Sequence, residues 1–380
     1  MIPADLSAEL ARAVGAAIAA GHLPAGAARL RASGTWRPPP ADSTFPAPGA
    51  PTAGYATSLP FELARLAGRE PRAVAAGLAR ALQPAGWISS AAPTGAGYLT
   101  IEVTSAALAS LAVRVSQAGP ACARSDALAG VTRSGLPLPD LAAEPGWQQA
   151  WRDQAAALAG RLAAAAGATV IPGSPPELTG CSGSPARAQR PGVADAVAWA
   201  GADAIRYWLA RMPAGRTGEL GHGLRVTCDL ADPGYLVSFA HADATCVLRW
   251  AADLGHRRGD PDGRLAQWLP QPAELALLTR LSWLAERVAG AARRRQPAEL
   301  PRYLEGVAAA WLACRESCPA LPFGGQAAPR GETGISARLW LADATRTALD
   351  AGLGLIGVAA PDRLPVNEAA ASVVLCERRG

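Results

Sequence analysis

Between Arg280 and Arg302 the chain sets six arginines, Arg280, Arg287, Arg293, Arg294, Arg295 and Arg302, against two glutamates, Glu286 and Glu299. Guanidinium groups at that density suit phosphate, because the planar fork grips an oxyanion through two parallel N–H bonds. Arg293–Arg295 also have a purely structural use, since cations at a helix C-terminus offset its dipole. Arg338 and Arg346 stand eight residues apart and share one face of a helix. Tyr303, next to Arg302, is an aromatic on which a base could stack. All 36 basic residues are arginine, and the formal charge of +5 over 380 residues permits a polyanionic partner without requiring one.

Catalytic sets do not emerge. There is no Walker A sequence, no G-x-G-x-x-G after a strand and no Ser–His–Asp set. Asp140, Glu144 and Asp153 are scattered rather than paired. The seven cysteines include no C-x-x-C, and Cys314 and Cys318 have no nearby His or Cys partner, so a zinc site is not expected. An odd, scattered cysteine set and an N-terminus without a signal-peptide pattern imply a reducing, cytoplasmic setting. No run approaches the roughly 20 apolar residues of a membrane span. Neither a metal nor a cofactor is expected.

The elements that carry these residues follow from apolar periodicity and punctuation. Leu6, Leu10, Val14 and Ile18 define an opening amphipathic helix, and the Pro-, Gly- and Ser-rich stretch 34–54 reads as a linker. A helix is predicted from the Thr57/Ser58 caps to Gly68, and another from Pro71 to Leu82. Strands are predicted at Trp87-Ile88 and Gly97–Val103, then helices over 106–116 and 148–166. A helix pair pivots on Gly201. A long helix over 235–253 is expected to bury the stripe Tyr235, Phe239, Ala242, Cys246 and Trp250. Three further helices are predicted over 272–290, 297–318 and 334–353, with Gly352 as the last stop. The resulting fold class is mainly α with an α+β N-terminal domain.

Several segments, in collinear order, resemble the arginyl-tRNA synthetases of class I. Gly54-Tyr55-Ala-Thr-Ser58 and Gly97-Tyr98-Leu99-Thr100 are similar to the N-terminal additional domain of that family. Gly201-Ala-Asp203-Ala-Ile-Arg206-Tyr207, Asp232-Pro-Gly-Tyr235 through His241-Ala242, Ala337–Arg346 and Gly352–Leu364 are similar to its tRNA-reading part. The resemblance implies a C-terminal helical bundle of the anticodon-binding type, with tRNA or structured RNA as partner. It places Tyr98 and Thr100 at base-contacting positions of the N-terminal domain. It also singles out Arg206, Tyr235 and His241 in matched segments of the tRNA-reading part. Asp243 departs from the pattern, standing where the family often has a basic residue. No His-x-Gly-His-type motif is found, and Gly221-His222-Gly223 does not replace it. Cys181–Arg190, where the family's lysine-bearing loop would fall, offers Arg187 and Arg190 but no lysine.

The expected organisation is an N-terminal additional-type domain over 1–115 and a shortened linker over 116–192 in place of the catalytic domain. A helical anticodon-binding-type domain follows over 193–366, then a tail over 367–380 with Cys376, Arg378 and Arg379. The expected function is that of a non-catalytic, arginyl-tRNA synthetase-like, RNA-binding protein. Its candidate contacts are Tyr98, Thr100, Arg206, Tyr235, His241, Arg293, Arg294, Arg295, Arg302, Tyr303, Arg338 and Arg346. Two alternatives stay open. One is a reduced aminoacyl-transfer or tRNA-modifying enzyme. The other is a protein-interaction scaffold that has lost RNA, whose arginines acidic neighbours or a protein partner would satisfy.

Overall fold

The computed structural model describes residues 2–30, 36–39, 53–173, 192–213, 224–260, 265–322, 331–364 and 373–374. Arg187, Arg190, His222, Cys376, Arg378 and Arg379, and most of the expected 34–54 linker, lie outside them. The N-terminal elements are α1 (Ile2–Ala19), β1 (Trp36–Arg37), β2 (Ala53–Thr57), α2 (Leu59–Ala67), α3 (Pro71–Leu82), β3 (Ile88–Thr94), β4 (Tyr98–Val103) and α4 (Ser105–Ala118). Next come β5 (Thr132–Gly135), α5 (Trp147–Ala165), β6 (Thr169–Pro172), α6 (Val193–Ala200), α7 (Ala202–Arg211) and β7 (Arg225–Val226). The remainder is α8 (Pro233–Asp253), the short α9 (Leu265–Trp268), α10 (Pro272–Ser282), α11 (Leu284–Arg294), α12 (Glu299–Ser317), α13 (Gly331–Ile356) and β8 (Val373–Val374). The fold is mainly helical, with a small antiparallel sheet in its N-terminal region.

Two compact units form, each assembled from separate stretches of chain. The first comprises Met1–Ala118, Trp250–Glu286 and Ala313–Ala344. Its sheet runs β1-β2-β4-β3, all antiparallel, with Tyr55 opposite Ile101 and Thr94 opposite Tyr98. Helix α1 buries Leu6, Leu10 and Val14, as its spacing requires, and α2 ends on Gly68 in the left-handed conformation. Strand β2 overlaps the expected start of α2. Its Tyr55 is fully buried, because the sheet needs this aromatic against α10 and Trp283.

That contact also accounts for a break the periodicity does not show. The predicted helix 272–290 is two helices, α10 and α11, parted at Trp283. The Ser282 hydroxyl donates to the Thr279 carbonyl and pairs with the Tyr55 hydroxyl at 2.7 Å. The Trp283 N–H turns to the Arg280 carbonyl, and its ring lies 5.1 Å from that of Tyr55. An apolar residue needed by the sheet thus draws the backbone out of the regular ladder.

The second unit comprises Gly119–Arg249, Arg287–Leu312 and Thr345–Gly380. Strands β5 and β6 pair in parallel, Thr132 with Thr169 through Gly135 with Pro172, and α5 connects them. The interval expected as a shortened linker therefore holds a β-α-β unit. Gly135 and Gly160 permit the close approach of strand and helix, since a Cβ on Gly160 would meet the Gly135 Cα at 2.8 Å. Trp151, Ile205, Leu209 and Leu224 share a buried cluster with Val193 and Ala196. Gly201, at φ +86°, turns α6 into α7 where the sequence places the pivot. Gly352 is not a stop. It sits inside α13 against Leu304, and the helix ends at Gly357, φ +88°.

Candidate nucleic-acid interface

The arginine-rich stretch spans α11, its C-terminal turn and α12. Arg295 follows the last residue of α11 in the left-handed region, φ +53°, where glycine is the cheaper occupant by about 1 kcal/mol. Its N–H and that of Gln296 return to the carbonyls of Ala292 and Ala291, closing the helix. The side chain of Arg295 stands in solvent, as does that of Arg302 on the first turns of α12. Arg294 is exposed as well, but its guanidinium pairs with Glu299, one bond at 3.1 Å. Arg293 and Arg346 are half-buried and already engaged within the protein.

Other candidates are buried. Arg338 is 7% exposed; its Nε donates to Glu274 Oε1 at 2.8 Å and its Nη1 to the Pro319 carbonyl at 2.9 Å. Glu274 is itself wholly buried. As placed, Arg338 is therefore half of an internal ion pair. Tyr303 turns inward, because the apolar face of α12 takes it together with Leu300, Leu304 and Val307. Thr100 is fully buried and exchanges a 2.7 Å hydrogen bond with Thr94 across the β3–β4 ladder. As placed, none of the three meets a base or phosphate from solvent.

Residues in the matched segments divide in the same way. Arg206 donates to Gln154 Oε1 at 2.8 Å and to the Pro139 carbonyl at 3.1 Å, which ties α7 to α5. Burial lowers the pKa of its guanidinium. His241 is buried, with Nδ1 2.9 Å from the Pro361 carbonyl, so the tautomer is the one that donates there. Both are clamps within the unit, and His241 cannot reach RNA as placed. Asp243 accepts from Trp311 Nε1 at 2.9 Å, which gives the acidic replacement a packing role. Tyr98 is half-buried: Arg37 covers its ring at 5.0 Å and Phe61 meets it edge-on at 5.0 Å. Tyr235 is half-buried beside Phe239, and burial raises the pKa of its phenol.

The apolar stripe of α8 needs a correction. The face packed inward is Val237, Ala240, Ala244, Val247 and Ala251, small residues that allow close approach. Of the expected stripe Ala242 is buried with them and Tyr235, Phe239 and Cys246 are half-buried, but Trp250 is 49% exposed with Leu254, one turn on, at 61%. Sequence periodicity could not choose between two stripes of similar hydrophobicity, and it weighted bulk over fit. An exposed tryptophan on this helix is an aromatic surface that the sequence reading assigned to the core. Among the described residues of the second unit, Arg295 and Arg302 are exposed and Tyr235 is half-exposed, and in the first unit Trp250 is exposed.

Comparison with known proteins bears on these same helices. Residues 237–364 match the family described as the DALR anticodon binding domain. The arginine–tRNA ligase of Micrococcus luteus is 38% identical over 172 residues, covering 45% of this chain and 30% of that one. That of Paenarthrobacter aurescens is 36% identical over 174 residues, with the same shares. The matched part of this chain thus spans less than a third of the length of these curated relatives. Among solved structures, Thermus thermophilus arginyl-tRNA synthetase gives a TM-score of 0.61 at 15% identity, covering 96% of this chain and 100% of that chain. At that identity the likeness speaks for the fold alone.

Proposed function

We propose that this chain, whose C-terminal half is homologous to arginyl-tRNA synthetases and carries a DALR anticodon-binding domain, binds tRNA or a tRNA-like RNA and does so without catalysis. The observation that carries the reading is the match of residues 237–364 to an anticodon-binding family. Arg295 and Arg302 supply phosphate contacts, Arg293 and Arg346 add positive charge in the same unit, Arg294 does so if RNA draws it from Glu299, and Tyr235 takes a base. Tyr98 serves the N-terminal region if RNA displaces Arg37 from its ring. In this reading 1–115 and 193–366 are the RNA-facing domains, and 116–192 stands where a catalytic domain would be. The protein acts in the cytoplasm. The absence of any lysine and of a His-x-Gly-His-type motif in this sequence supports the non-catalytic assignment.

Binding of the purified protein to total tRNA across a salt series tests this. Micromolar or tighter affinity that falls steeply with salt is expected, since each arginine–phosphate contact releases counterions. No binding at low salt overturns it. Arginine- and ATP-dependent pyrophosphate exchange, if detected, overturns the non-catalytic part alone.

A second reading, a protein-interaction scaffold, is favoured by how many arginines are internally neutralised. Arg211 pairs with Glu305 at 2.7 Å, Arg258 with Asp343, Arg294 with Glu299 and Arg338 with Glu274. Weak, salt-insensitive RNA association is the result that selects it.

A further inference from the structure

The β-α-β unit carries a feature that lies mostly outside the residues matched to the anticodon-binding family. A cavity of about 600 Å³ opens beside β5, walled by that strand, α5 and the C-terminal turn of α11. Five consecutive residues, 132–136, line it. Successive side chains of a strand point to opposite faces, so a run of neighbours on one wall means that the strand's edge and backbone form it. Among the described residues β5 pairs only with β6, which leaves its second edge without a strand partner. Thr132 and Ser134 add hydroxyls, and Ala159 and Ala163 of α5 provide a smooth apolar wall.

Two arginines line the same cavity, Arg133 from β5 and Arg295 from the turn after α11. Arg133 Nε is shielded from solvent and has no hydrogen-bond partner. Among the described residues that line the cavity none is acidic. This contrasts with Arg211, Arg294 and Arg338, each of which has its carboxylate. Arg295 also occupies a left-handed helix-capping position that favours glycine. Backbone held in an unfavourable region together with a buried donor lacking an acceptor is the pattern of a site kept ready for a ligand.

We propose that this cavity binds a phosphomonoester of about nucleotide size, with Arg133 and Arg295 on the phosphate and the alanine face of α5 against the neutral body. The guanidinium fork fits a phosphate's paired oxygens, and the hydroxyls of Thr132 and Ser134 on the same wall offer further donors. The volume exceeds what a bare phosphate fills and lies within the range of small-molecule sites. Arg295 is shared with the tRNA-binding reading above, whereas Arg133 and the rest of the cavity are not part of it, so the cavity can bind its ligand whether or not that reading holds.

AMP, ribose 5-phosphate and adenosine, titrated calorimetrically and by thermal shift against the full chain, test it. AMP or ribose 5-phosphate is expected to bind and raise Tm, and adenosine to bind at least about tenfold more weakly. Arg133→Gln and Arg295→Gly should each weaken phosphomonoester binding by at least about tenfold. Arg295→Gly should keep Tm at or above that of the parent protein, because it removes backbone strain, and so separates lost binding from lost folding. Failure of both phosphomonoesters to bind, adenosine binding as tightly as AMP, or parent-like affinity in both variants overturns the proposal. A free nucleotide and the 5′-phosphorylated end of an RNA present the same phosphomonoester. Displacement of labelled AMP by tRNA identifies the RNA as the source, and its persistence identifies the free compound; both uphold the site.

Discussion

At the scale of single residues, Arg338 and Glu274 form an ion pair between two buried side chains. Both side chains are withdrawn from water, and Arg338 also holds the Pro319 carbonyl. Removing one partner leaves a charge buried without compensation. Arg338→Ala should destabilise the protein by about 3 kcal/mol, measured as a lower urea midpoint, whereas the double change Arg338→Met, Glu274→Leu should lose much less. Two thiols make a pH-dependent counterpart. Burial lifts Cys122 and Cys314 from an ordinary value of 9.0 to about 12. A raised folded pKa means that the stabilisation is complete below pH 9 and is lost as pH climbs towards 12, because the unfolded chain ionises first. Stability measured from pH 8 to 11 should therefore fall, and the Cys122→Ala, Cys314→Ala variant should fall less steeply. Peptide mapping after alkylation at pH 8 should find exposed Cys228 modified well before either.

At the scale of elements, the glycines of α13 separate packing from propensity. A Cβ at Gly352 would collide with the Leu304 side chain of α12, whereas one at Gly354 would meet nothing within 4 Å. Gly352→Ala should cost about 1–3 kcal/mol through overpacking. Gly354→Ala should be neutral or stabilise by up to about 1 kcal/mol, as alanine does in an exposed helix position. Thermal melts of the two variants check this, and equal effects would mean that the two helices do not pack through Gly352. The same scale explains the break at Trp283. Helical periodicity runs on through 272–290, but the sheet's need for Trp283 against Tyr55 ends one helix and begins another.

At the scale of the whole molecule, a charge of +5 is too small to bind RNA by its overall field, so affinity has to come from local clusters. Under the RNA-binding reading, Arg302→Ala should weaken tRNA binding and reduce the slope of log affinity against log salt by about 1. Arg206→Ala, which removes a clamp within the fold, should lower stability and leave that slope unchanged once folded protein is compared. An unchanged slope in Arg302→Ala would remove Arg302 from the interface.

Sequence by itself determined what is local. Helices α1 to α5, the pivot at Gly201 and the end of α2 at Gly68 follow from apolar spacing, proline at first turns and glycine at left-handed caps, all read within a few residues. The class of the C-terminal half was equally legible, because collinear short motifs carried it. Only the tertiary structure decided which arginines face solvent. Arg302 and Arg338 are the same residue type on amphipathic helices, yet one meets water and the other meets Glu274, 64 positions earlier in the chain. Exposure of a helical face depends on which element covers it, and for α8 that choice fell on small residues that permit close approach rather than on the bulkier stripe. The pairing of β5 with β6 and the cavity beside them arise from contacts between segments some 20 to 160 residues apart, which no local pattern records.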